Sequence, residues 1–394
     1  MVEIQIYSIF RHIAIIGCIF VVSISRQSQA LDLPTQNTVG SKYTINYDDW
    51  GFVLENSVLY TGRSDRRPPS RAAYKNSATR IKHGNTSVSA LEGNRVLYHE
   101  FGEQHRSLLL SIRKDLEALP DSVALEKFSK NEQLAYWLNL HNIAVMLEVS
   151  QNYPIRNLRA LSQGKKNAWA AKTMKIGNTP TSIQDIENHI VENWKDPLVL
   201  YGLYMGAIGG PNIRTEAFTG GLINQQLEEN ATEFVNSLRG VRFWNNGARI
   251  SAHYFDLGKT FFPDFKNDIK RHLLKFSSGP IGAKLRNINS FKKARYDWSI
   301  ADLKNGESYS GSSYNTNSGA LVHFIDSDTS GTPALPALSF INMQKDRGVE
   351  YAGIPPHVAA LLSGIQKRNA KRLKVGTVTV EEFVTIEGSR IRLK

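Results

Sequence analysis

SKNEQLAYWLNLHNIAVMLEV, residues 129–149, decides the fold of this chain. Serine followed three residues later by glutamate makes a capping box: Ser129 can accept from a free helix amide while Glu132 reaches back. Leu134, Trp137, Leu138, Val145 and Leu147 then wrap most of the helical circumference instead of forming one stripe. A helix that is apolar all round belongs inside a domain, with other elements on every side. The reading is a central, buried helix through about Val149, ended by Tyr153-Pro154.

Outward from that helix the patterns are weaker. YDDWGFVLENSVLY, residues 47–60, places Trp50, Val53 and Leu54 on one side with Val58 a turn on, which predicts a short amphipathic helix. Arg95 to Ala118 repeats a helical pattern through Val96, Phe101, Leu108, Leu109, Ile112 and Leu116. Thr181 or Ser182 opens another helix carrying Ile183, Ile186, Ile190 and Trp194, stopped by Asp196-Pro197. Leu222–Leu238 predicts a further one, with Leu227, Phe234 and Leu238 inward and Gly240 closing it. Val199–Met205, Val241–Phe243 and Ala248–Ile250 read as short strands. Beyond Leu303 come a polar linker (304–319), an apolar run Ala320–Ile325, a helix near Pro356–Ile365, a basic burst Lys367–Lys374, and a strand or hairpin arm over Val378–Ile386. The expected fold is α+β: a helix-rich single domain over 47–303 with a small mixed or antiparallel sheet, plus a C-terminal appendix over 320–394.

The first thirty residues read as a secretory signal, with Arg11 and His12 before the apolar run Ile13–Ile24 and Ser28-Gln29-Ala30 at the cut. An uncleaved anchor is the alternative. With cleavage, residues 31–46 form a tether and the only cysteine, Cys18, leaves with the signal. A mature chain of that kind has no thiolate nucleophile, cysteine metal site or redox pair. It is expected in the periplasm or outside the cell, with no membrane span after the signal. The chain carries +12, and the first thirty residues hold Arg11 and Arg26 against Glu3, which leaves +11 beyond them. Such a surface favours acidic polysaccharide, anionic lipid headgroups or an acidic envelope protein; export argues against nucleic acid. No phosphate loop, dinucleotide glycine fingerprint or Gly-x-Ser-x-Gly elbow is present, so no cofactor is expected.

The chain resembles a bacterial family, the domain of unknown function 547. The pieces that carry the resemblance are Trp50 to Tyr60, EQLAYWLNLHNIA at 132–144, Asp185-Ile186-Glu187, Asp196-Pro197 through Arg214, Glu216-Ala217-Phe218 and Tyr296-Asp297-Trp298-Ser299. They span roughly 45–303 in the family's order. The resemblance implies one exported or envelope-associated α+β domain and no settled activity. It also implies an aromatic at the position of His141, histidines at Asn188 and near Leu200, and cysteines near Met205 and Gly210. This chain keeps the surrounding loop, with Pro211 and Arg214, but none of those reactive groups.

Asn139 and Asn142, three apart on the central helix, fit either backbone bracing or contact with a substrate. His141 fits a core histidine packed on Trp137 or a catalytic base. Glu187 fits an ion pair with Arg214 or an acid in a site. Tyr296-Asp297-Trp298 reads as a turn or helix start with Asp297 capping amides, or as pocket wall. His99 and Glu103 are four apart but lack an evident third ligand, so no metal site is expected. Arg66, Arg67, Lys371 and Arg372 are polyanion candidates in the two basic segments, Arg63–Arg71 and Lys367–Lys374. Three functions remain: a non-catalytic, pseudoenzyme-like binding or scaffold module of the envelope; an adaptor docked through its appendix; or a thiol-independent hydrolase or transferase using Glu187, Asp297 and His141 or His189.

Overall fold

A computed structural model describes residues 36–69, 85, 87–163, 167–256 and 258–306, and the backbone of 380–386 and 389–392. The predicted signal, the predicted linker beyond residue 306, most of the appendix, and Lys371 and Arg372 lie outside the described residues. In chain order the helices are α1 (Asp48–Ser57), α2 (Glu103–Ser122), α3 (Lys130–Gln151), α4 (Arg159–Gln163), α5 (Ile183–Asn193), α6 (Ile223–Asn236), α7 (His253–Asp256), α8 (Phe265–Phe276) and α9 (Gly279–Arg286). The strands are β1 (Tyr43–Ile45), β2 (Val58–Leu59), β3 (Arg95–Val96), β4 (Met174–Ile176), β5 (Thr179–Thr181), β6 (Val241–Trp244), β7 (Gly247–Ile250), β8 (Phe291–Lys293), β9 (Val380–Ile386) and β10 (Ser389–Arg392). The fold is α+β and helix-rich, with small peripheral sheets.

α3 is the predicted central helix. Apolar residues on all its sides are buried, from Leu134 and Trp137 through Val145 to Val149. α2, α5 and α6 pack around it. Only half of its capping box forms: Ser129 Oγ accepts from the Glu132 amide at 3.2 Å. The Glu132 carboxylate turns away to accept from the Ile45 amide at 3.0 Å, tying β1 to the start of α3. The complete box sits instead at α5, where Ser182 and Asp185 cap each other.

Two element assignments differ from the sequence pattern. Arg95–Phe101 is not helical. β3 pairs with β2 at Val58↔Val96, a short 3-10 turn follows at Tyr98–Glu100, and α2 starts only after Gly102. His99 and Glu103 therefore do not share a helix face. Val199–Met205 is not a strand either: Asp196 accepts from the Leu198 amide with Pro197 at the first position, and Pro197–Gly202 winds into a buried 3-10 helix. A continuous apolar run looks the same whether it is a buried strand or a buried helical turn.

β6 and β7, both predicted as strands, pair as a hairpin turned by Asn245-Asn246, with Asn245 at φ 41°. β8 joins β7 in parallel, so this small sheet is mixed. The alternating C-terminal segment is a hairpin, β9–β10, and β9 pairs antiparallel with β1. Among the described residues no helix is long and apolar enough to cross a membrane.

Candidate functional site

The polar residues of α3 grip the loop that follows α5. Asn139 Nδ2–H donates to the Phe218 carbonyl at 2.7 Å, and its Oδ1 accepts from the Phe218 amide at 3.0 Å. One turn on, Asn142 Nδ2–H donates to the Gly202 carbonyl and its Oδ1 accepts from the Tyr204 amide, both at 3.1 Å. Two asparagines thus hold the 196–218 loop at Gly202–Tyr204 and at its end, Phe218, in a place where water does not reach.

Those bonds fix how Asn142 faces its neighbour. Its Oδ1, already an acceptor for Tyr204, lies 2.9 Å from His141 Nδ1, so Nδ1 carries a proton. The other ring nitrogen, Nε2, lies 3.1 Å from Glu187 Oε1 on α5. A hydrogen bond there needs a second proton, held by either the imidazole or the carboxyl. Asn142, His141 and Glu187 therefore form a proton-sharing chain from α3 to α5, with His141 wholly buried and Glu187 5% exposed. His253 on α7 lies close enough to feel both groups; its Nε2–H donates to the Leu200 carbonyl at 2.7 Å, and burial pushes its pKa down.

Tyr296–Ser299 runs extended beside this layer. The Ile208 amide donates to the Ser299 carbonyl at 2.8 Å and the Gly209 amide to the Asp297 carbonyl at 2.9 Å. A Cβ at Gly209 would stand 2.7 Å from the Asp297 nitrogen, and one at Gly210 2.7 Å from the Tyr296 hydroxyl. Met205 closes the same spot, 3.3 Å from that Gly210 position. The Tyr296 hydroxyl is buried with no hydrogen-bond partner. Burial, then Asp297 and Glu187, push its pKa up. Trp298 packs against Tyr296 with ring centres 4.4 Å apart. Asp297 caps the Ser299 amide at 3.1 Å, as a turn residue should, and its other oxygen accepts from Asn85 and Ser89 at 3.2 Å. Tyr296–Trp298 has no regular secondary structure and starts no helix, and Ser299 and Ile300 make isolated bridges to Asn157 and Ala207.

Residues 125–235 match the family described as Protein of unknown function, DUF547. That region belongs to the family. The DUF547 stretch takes in α3, α5, α6 and the gripped loop, while Trp50–Tyr60 and Tyr296–Ser299 fall outside it. No curated protein matches the chain, and no solved structure does. The DUF547 region brings His141 and Glu187 together, and positions 205 and 210 meet beside Tyr296.

Other candidates are placed elsewhere. Trp137 packs on His189, with ring centres 4.5 Å apart, rather than on His141. Arg214 pairs not with Glu187 but with Glu216 at 2.6 Å and Glu229 at 2.8 Å, and also holds the Gln226 carbonyl and Asn230. Arg66 is half-buried and donates to the Asn236 and Val241 carbonyls at 2.8 and 2.7 Å, so it ties its loop to the domain. Arg67 is exposed and pairs with Asp65 at 3.1 Å. The described residues hold no group of three side chains suited to a metal. Sequence reading missed His253, Arg95 and Arg239. A buried arginine or histidine looks like a surface one until its partners, which are distant in sequence, are known.

The buried histidines make a first prediction. Burial pushes His189 and His272 down to about 4, with Lys275 adding to the effect on His272. An unfolded histidine titrates near about 6.5, so in that window the unfolded chain binds more protons. Stability should fall as pH drops from about 6.5 to about 4, by up to several kcal/mol at about 1.4 kcal/mol per unit. Urea midpoints across this range should change less in a His189→Gln/His272→Gln variant; an unchanged slope would contradict the assignment.

Proposed function

We propose that this DUF547 chain is an exported, pseudoenzyme-like binding module of the cell envelope, working in the periplasm or outside the cell, with affinity for acidic partners. The observation that supports this reading is the commitment of the best acid–base pair. His141 and Glu187 meet beneath the surface and spend their hydrogen bonds on holding α3 to α5. The apolar run Ile13–Ile24, followed by Ser28-Gln29-Ala30, supports export.

Two measurements test it. Mass spectrometry of protein recovered from the envelope fraction should find an N-terminus at Leu31; retention in the cytoplasm with Met1 intact would overturn export. Binding to acidic polysaccharide, anionic vesicles or an acidic envelope protein should be measurable at low salt and weaken at about 0.5 M salt, where the screening length is a few ångströms. No binding to any of these would overturn the module.

One observation favours a second reading, a thiol-independent hydrolase or transferase: a carboxyl and an imidazole do share a proton 3.1 Å apart, and the Tyr296 hydroxyl feels Glu187. In that case Glu187→Gln would abolish turnover of an ester or glycoside panel while leaving the fold intact.

A further inference from the structure

The outer face of the β6–β7–β8 sheet carries a row of cations that packing does not require. Register sets Arg242 opposite Arg249 and Arg249 opposite Lys292. Val241, Ala248 and Ile250 fill the buried face, so the three positive side chains stand abreast on the other. Strand spacing of about 4.8 Å puts the outer two roughly 10 Å apart. Like charges directly opposite each other destabilise a sheet.

The fold does little to relieve this. Lys293, one residue further, pairs with Asp256 at 2.5 Å. Arg249 and Lys292 are exposed, and what they touch is aromatic: they lie 5.7 and 5.4 Å from the centre of the Trp244 ring. Arg242 is half-buried and its Nε has no hydrogen-bond partner. Burial and the neighbouring Arg249 push its pKa down, against the longer-range pull of Glu92 and Asp297. Trp244 itself lies flat, because a Cβ at Gly247 would come within 2.6 Å of the indole. It is a half-buried platform bracketed by cations, not a wedge.

That combination narrows the partner. A membrane would call for aromatics that project into it. Single-stranded nucleic acid would call for several ring faces on which successive bases stack, and the described residues of this sheet face offer one, Trp244. A straight row of cations beside a flat indole suits a chain that repeats one negative charge per unit and offers an apolar ring face between charges. We propose that the β6–β8 face binds a linear acidic polysaccharide. Arg242, Arg249 and Lys292 pair with its carboxylate or sulfate groups, and Trp244 packs against a sugar ring. This rests on the binding-module reading above and names its site and ligand class.

The test is titration of the purified protein with polygalacturonate and with dextran sulfate, alongside phosphatidylglycerol vesicles and a single-stranded oligonucleotide. Arg249→Glu/Lys292→Glu should weaken polysaccharide binding by about tenfold or more at low salt and flatten its salt dependence. Trp244→Ala should weaken binding while keeping the salt slope, because it removes contact and not charge. Arg271→Glu, an exposed reversal on α8, should bind as the parent does. The reversal variants should melt no lower than the parent, since the charges changed are exposed and reversal relieves like-charge pairing; Trp244→Ala, which loses a half-buried ring, should still unfold in one cooperative transition. Reversal variants that bind like the parent would overturn the site and leave the binding module standing. A parent that binds neither polysaccharide would overturn this ligand, and binding to vesicles or the oligonucleotide alone would reassign the face. A parent that binds nothing would overturn both readings.

Discussion

Replacing His141 by phenylalanine is expected to destabilise the protein by about 3–5 kcal/mol, the usual cost of removing one member of a buried, proton-sharing pair. Phenylalanine fills the imidazole's space, so the loss comes from stranding the Glu187 carboxyl, 5% exposed, against an apolar ring. Glu187→Leu alone should cost less, about 1–3 kcal/mol, because a neutral imidazole left with one unmet nitrogen is a smaller penalty than a carboxylate. Glu187→Gln should be mildest. With the Nδ1 proton of His141 fixed by Asn142, Nε2 is free to accept from the new amide. The double variant His141→Phe/Glu187→Leu replaces both partners with apolar groups and should recover much of the loss. Urea unfolding at constant m-value would read the cycle, with an expected coupling of about 2 kcal/mol. Additive single-variant losses would show that the two side chains do not depend on each other.

How legible this site was in the sequence depended on whether a residue's partner lay on the same element. The buried character of α3 was readable because its apolar residues occupy every side of one helix. The bracing role of Asn139 and Asn142 followed from the need of buried amides for partners. The partners of His141, Glu187 and Arg214 were not readable. Glu187 bonds a residue 46 positions away, and Arg214 chooses Glu216 and Glu229 over Glu187 because the gripped loop carries it toward α6. Spacing along a helix says which residues share a face and nothing about which face of another helix it meets. Pro197–Gly202 failed for a different reason: a run buried throughout has no period to read.

The cation row was hidden by the same limit. Arg242 and Arg249 stand seven apart across a hairpin turn and Lys292 a further 43, and only the pairing of three strands places them abreast. Conversely, the compact basic segment around Arg66, conspicuous in the sequence, places Arg66 in structural hydrogen bonds. Clustering along the chain is a poor guide to clustering on a surface wherever short strands bring distant residues into register.

Replacing Arg95 by methionine is expected to cost at least about 3 kcal/mol, although the residue sits nowhere near the His141–Glu187 pair in sequence. Arg95 is 2% exposed, and its guanidinium acts as the template for the turn before β3. One terminal nitrogen donates to the carbonyls of Glu92, Gly93 and Asn94 at 2.7, 2.5 and 3.3 Å, and the other to Ala90 at 2.7 Å. Burial, with Arg239 nearby, lowers its pKa only to about 10, so it is charged at neutral pH. Methionine keeps the stem but strands several buried acceptors, at about 1–3 kcal/mol each. Arg95→Lys should fall between, since one ammonium cannot span the arc that a planar fork covers. The loss should spread along a defined route. Glu92 accepts from the amides of Leu238 and Arg239 at 2.8 and 3.0 Å, which secures the segment between α6 and β6. Hydrogen exchange at those two amides should therefore quicken in Arg95→Met, while amides in the middle of α3 keep their protection relative to the new global stability. A methionine variant within about 1 kcal/mol of the parent, with the Leu238 and Arg239 amides still protected, would mean that the turn holds its shape without the guanidinium.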